Sequence, residues 1–105
     1  MQQRSKEIAN REIEIWSRCF EPCPVTEKNK SHVNEMIWRM EHRIRVSLER
    51  LEEFYKNPKG YGQYIEPLEI RILKAQEAVK QAKEGNWHPL DYIEYPYRQS
   101  YYVGL

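Results

Sequence analysis

The amino-acid sequence predicts an all-α fold: a three-helix domain dominated by a long antiparallel helical hairpin, followed by an extended, tyrosine-rich C-terminal arm. Three observations predict it. Apolar residues recur at alternating three- and four-residue spacing from Ile8 to Ala82, the mark of helices with one buried face. Clusters bearing Pro and Gly, at Glu21–Pro24 and Asn57–Gly60, interrupt that pattern where turns are needed. Finally, the last nineteen residues, WHPLDYIEYPYRQSYYVGL, hold five of the eight tyrosines together with Pro89 and Pro96. A proline lacks the amide hydrogen and restricts the residue before it, which argues against one continuous helix there. The expected organisation is a helical domain over 1–86 and an arm over 87–105.

The first helix is expected at about 5–20. Ala9, Ile13, Trp16 and Phe20 share one face, Ile8 and Cys19 widen it, and Ile15 lies at its edge with Glu12 inside the arc. Glu7–Arg11 and Glu14–Arg18 would pair on the wet side. Glu21-Pro22-Cys23-Pro24 stops this helix. The second helix is expected at about 31–56, with Ser31 as N-cap. Val33, Ile37, Met40, Ile44, Leu48, Leu51 and Tyr55 form its stripe, and Glu41–Arg45, Arg45–Glu49 and Glu52–Lys56 lace the opposite side. Gly60 to Gln63 reads as the hairpin connector. The third helix is expected at about 66–84, opening at Pro67 and closing at Gly85, which suits a left-handed cap.

Three positions do not fit a bundle with one apolar stripe per helix. Trp38 falls roughly opposite the centre of the second helix's stripe, beside His42, Arg45 and Glu49. Ile70 and Leu73 form a second apolar strip on the third helix. Plain packing by the first helix or the arm would account for them; a docking surface is the alternative. The arm adds Trp87, Tyr92, Tyr95, Tyr97, Tyr101 and Tyr102, side chains that bring contact area with little entropy to lose and a hydroxyl suited to a wet rim. These nine residues, Trp38, Ile70, Leu73 and the six of the arm, are the candidate partner-binding set.

The composition narrows the function classes. Charged residues make up 31% of the chain and nearly cancel, for a formal charge of +1, so the one-signed field of a general nucleic-acid binder is missing. Arg39, Arg43, Arg45 and Arg50 do concentrate on the second helix, but Glu35, Glu41, Glu49, Glu52 and Glu53 interleave with them. No apolar run reaches the roughly 20 residues of a membrane span, and the N-terminus does not read as a secretory signal. Cys19 and Cys23 are too few for a disulfide scaffold, and a reducing intracellular compartment is expected. Their C-x3-C spacing, even with His32 and His42 nearby, lacks the C-x2-C pattern of zinc knuckles; Cys19 is expected in the core. No nucleophile–base set or phosphate loop can be assembled. The sequence therefore points to no catalytic residue, no metal ligand and no cofactor.

The expected function is a non-enzymatic protein–protein interaction: a small structural or accessory subunit docked in a larger assembly through its arm and exposed helix faces. A regulatory binder that blocks an enzyme cleft, encoded by a phage or mobile element, is the second reading. A homodimer through the second helix is the third, and a nucleic-acid-binding module the weakest. On the sequence alone, a chain cut after His88 should stay helical by circular dichroism and lose its partner.

Overall fold

The computed structural model describes residues 1–94. Three long helices, α1 (Gln3–Cys19), α2 (Lys30–Lys56) and α3 (Pro58–Lys83), are joined by short links. The chain is helical again from 88 to 94, here called α4. The all-α class and the antiparallel pairing of α2 with α3 are as the sequence predicts. Val33 lies with Ala82 in one buried cluster, Leu51 with Ile65 in another, and Lys83 reaches back to Glu41 at 3.0 Å.

Two expectations about elements are corrected. The third helix does not wait for Pro67: it starts at Pro58, which takes the first helical position and needs no amide hydrogen there. Asn57 alone separates α2 from α3, so the expected Gly60–Gln63 connector is instead the first turns of α3. Gly60 and Gly62 each cost about 1 kcal/mol of helix propensity relative to Ala. Phe54 opposes that cost by stacking on Tyr61 (5.0 Å between ring centroids), and Ile65 is drawn into the core just beyond. Pro67 lies inside α3. It removes one rung, to the carbonyl of Gln63, but both residues are exposed, so water can take the freed carbonyl.

The second correction concerns the arm. Residues 88–94 are helical, not extended, because Pro89 sits in the first turn, where its missing donor is harmless. The rest of the arm, with Tyr95, Tyr97, Tyr101 and Tyr102, lies outside the described residues.

Helix α3 is the hub. Helices α1 and α2 both pack along it, and contacts between α1 and α2 themselves are sparse. Helix α1 runs parallel to α3, tied by Arg4–Glu66 at 3.1 Å near its start and Glu12–Lys74 at 3.3 Å further along. The α1–α2 gap is filled from the C-terminal side. Leu90 is fully buried in the cluster of Trp16, Val33, Met36, Met40, Ala78 and Val79, with Ile93 and Trp87 against it.

The path into α4 is well held. Gly85, at φ 110°, takes the left-handed conformation that favours glycine, and the amide hydrogens of Gly85 and Asn86 cap the carbonyls of Ala82 and Gln81. A short antiparallel bridge joins Pro24 to Asn86: Val25 N–H donates to the Gly85 carbonyl and Trp87 N–H to that of Cys23. The side-chain oxygen of Asn86 accepts from Cys23 N–H at 3.0 Å, and Trp87 Nε1–H donates to the Pro24 carbonyl at 3.1 Å.

Smaller expectations also shift. The cap of α2 is Asn29, not Ser31; the Asn29 side chain serves the preceding loop, accepting from Thr26 N–H and donating to the Pro24 carbonyl. Cys19 is exposed, not in the core, because Trp16 and Phe20 define the inward direction of α1 and Cys19 lies about 80° from its centre. Leu48 and Tyr55, expected in the α2 stripe, are exposed, while Met36 is fully buried. Among the described residues the one i,i+4 ion pair is Arg39–Glu35; the pairs expected at Glu7, Glu14, Glu41, Arg45 and Glu52 are not formed. Long exposed side chains gain little from pairing in water.

Because α4 is part of the core, the cut after His88 should not leave an intact body, contrary to the expectation from sequence. Leu90→Ala is expected to cost about 2–5 kcal/mol. Urea titration followed by circular dichroism should show that loss, and truncation after His88 should lower the midpoint further still.

Candidate functional site

Among the described residues, the outward face of α2 is the most conspicuous unpartnered surface. Trp38 is 67% exposed, the most exposed large apolar side chain in the described structure. Helix α1 packs on α3 and so does not cover it. On the flanks of the same helix, Val46 and Leu48 are also exposed. A second exposed aromatic group sits at the α2–α3 corner, where Tyr61 and Tyr64 lie against the half-buried Phe54 and Tyr55 is exposed beside it in the chain. The sequence pointed to Trp38 but missed this corner. Tyr61 falls in the connector expected at Gly60 to Gln63 and Tyr64 just after it, and only the start of α3 at Pro58 gathers them against Phe54.

The other candidate residues divide. Ile70 and Leu73 are half-buried, and helical winding puts Ile70 between Glu66 and Lys74, the two residues that bridge to α1. The same winding puts Leu73 one turn beyond Glu69, which bonds to Ser5 of α1, so both positions are on the side of α3 turned toward α1. Trp87 packs on the core, with His32 edge-on to its ring. Tyr92 is exposed yet leans on Phe20, with ring centroids 4.9 Å apart. Phe20 also stacks on His88 at 4.5 Å. The His88 Nδ1 lies 2.6 Å from the Glu21 carbonyl, which can only accept, so Nδ1 carries the proton.

Two buried carboxylates organise the charged groups. Glu94 is 1% exposed and accepts from Arg39 Nε at 2.9 Å, with Arg43 Nη1 at 3.9 Å. Arg39 also donates to Glu35 at 2.9 Å. Arg39 and Arg43, two of the four arginines concentrated on α2, are thus turned toward α4. Glu69, in the middle of α3, is fully buried at the N-terminus of α1, where the helix dipole favours negative charge. It accepts from Ser5 Oγ–H at 2.8 Å, from the Gln2 amide at 3.2 Å and from the Tyr55 hydroxyl of α2. One side chain thereby joins α1, α2 and α3.

Comparison with protein-family models, curated proteins and solved structures finds no match. Among the described residues no cluster of His, Cys, Asp or Glu has the makings of a metal site, and no helix is long and apolar enough to cross a membrane.

The Glu69 network has a defined pH dependence. Burial pushes the Glu69 carboxyl up, but the hydrogen bonds from Tyr55, Ser5 and Gln2, with the nearby N-terminal ammonium, outweigh it, and the net direction is below the usual 4.5. The Tyr55 hydroxyl is pushed up to about 12, first by its bond to Glu69, then by burial and the carboxylate's charge. A lowered carboxyl pKa contributes stability that is present above the unfolded value and lost as pH falls through the folded one. A raised tyrosine pKa contributes stability that is present below 10 and lost as pH rises through about 12. Ser5→Ala leaves a buried carboxylate short of a donor and is expected to cost about 1–3 kcal/mol. It should also flatten the acid limb of the stability–pH curve, as measured by urea midpoints between pH 3 and pH 7.

Proposed function

We propose that this chain is a non-enzymatic interaction protein, a small structural or accessory subunit that docks through the outward face of α2 and its tyrosine-rich C-terminal residues. The observation that supports this most is Trp38. A tryptophan two-thirds in water contributes little to its own fold, yet it is the side chain with the most to gain from burial against a partner. It stands on a 27-residue helix fixed along its other side by α3, so it is presented rigidly and would lose little freedom on docking. The exposed Tyr55, Tyr61 and Tyr64 add a second area of the same amphipathic character.

The test uses the tagged full-length chain as bait in extract of its native source. It is compared with Trp38→Ala and with a chain ending at Glu94, which keeps the described core. Trp38→Ala should leave the unfolding free energy from urea titration within about 0.5 kcal/mol of wild type, since two-thirds of the side chain is in water. Both variants should lose a protein that the wild type retains. Retention of the same partners by both would refute this reading.

A further inference from the structure

Along the outward face of α2, Trp38, His42, Arg45, Glu49, Glu52 and Lys56 follow one another at four, three, four, three and four residues, and all six are exposed. That is the 3.5-residue period of a coiled-coil seam, lying on the side of α2 turned away from α3. None of the five seam residues after Trp38 makes an ion pair among the described residues, although the spacing would allow Arg45–Glu49 and Glu52–Lys56 within the helix.

We infer that this seam pairs with the same seam of a second copy of the chain, antiparallel, about a two-fold axis at the level of Ser47. The inference rests on the reading above that the Trp38 face is an interface, and it names the partner. In this register Arg45 meets Glu49 of the second copy, His42 meets Glu52, and Trp38 meets Lys56. The first two are opposite-charge or hydrogen-bonded contacts, and the third sets an ammonium over an indole face. Each contact occurs twice by symmetry. Val46 and Leu48 flank the seam on opposite sides, so each lies across from its own counterpart and gives the polar seam two apolar edges.

Other alignments are disfavoured. A parallel pair sets Arg45 against Arg45 and Glu49 against Glu49. Sliding the antiparallel pair by one heptad in one direction opposes Glu49 with Glu52 and Arg45 with Lys56. Sliding it in the other opposes Glu35 with Glu52 and His42 with Arg45. Only one register has every seam charge met, which is how charged positions select orientation in helix pairs. The seam from Trp38 to Lys56 is about 27 Å long. It is narrow and polar, well short of the roughly 800 Å² per partner of tight complexes, so association belongs in the micromolar range or weaker and should fall with added salt.

Sedimentation equilibrium of the full chain over graded concentrations reads this directly. The mass should rise from 12.8 kDa toward twice that value. Arg45→Glu and Glu49→Arg, both on exposed positions and checked for unchanged helix content, should each weaken association by at least roughly tenfold, because two attractive contacts become two repulsive ones. An equimolar mixture of the two variants should associate again, since opposite charges then meet on both sides of the two-fold axis. A wild-type chain that stays monomeric up to millimolar concentration overturns the inference. So does a dimer indifferent to both reversals, or a mixture that does not recover. If the chain is monomeric while Trp38→Ala still loses a captured protein, the self-pairing fails and the interaction reading stands. If the dimer behaves as described while capture is unaffected by either bait variant, docking to a different protein fails and the self-pairing stands.

Discussion

The fold depends on one constraint: α1 and α2 both need α3, and meeting it there leaves them apart. A helix packed on two sides by long neighbours creates a trough between those neighbours, and the trough must be filled or it becomes a cavity. Leu90, at 0% exposure, fills it. The rest of the C-terminal path follows from placing that side chain. Gly85 turns the chain out of α3, the bridge between Pro24 and Asn86 holds its direction, and Trp87 bonds to the Pro24 carbonyl while covering one end of the core.

The two buried carboxylates settle matters that apolar packing leaves open. Hydrophobic contact does not specify how far one helix slides along another, whereas a buried charge is tolerated only where its partners are. Glu69 finds Ser5, the Gln2 amide and Tyr55 in one place, which sets the start of α1 and the end of α2 against the middle of α3. Glu94 does the same for α4 by drawing Arg39 across from α2. Two separate places in the molecule thus carry similar devices, each linking elements far apart in the chain.

Helix α2 shows how one element can carry two faces of different chemistry. Its inner side, with Val33, Met36, Met40 and Leu51, is buried, while its outer side repeats at heptad spacing with charged residues and a lone tryptophan. An outer face kept merely wet has no need of a tryptophan or of charges in self-complementary order. Exposed pairs contribute little to the stability of a single helix, so that order has no evident role in the monomer's fold.

Much of this was legible locally. The helical class, the stop at Gly85 and the outward direction of Trp38 follow from periodicity, from glycine's freedom at positive φ, and from winding alone. These are properties a residue has with respect to its near neighbours in sequence. The extension of α3 back to Pro58 was not legible, because two glycines and a proline look like a turn until Phe54 and Ile65 hold them as helix. Nor was the exposure of Cys19, since its place at the edge of an apolar arc leaves the decision to whatever packs there. The clearest case is Pro89. By itself a proline can break a helix or begin one, and the chain around it reads either way. What decided was the trough between α1 and α2, a space made by residues dozens of positions away, which favours the helical turn that buries Leu90.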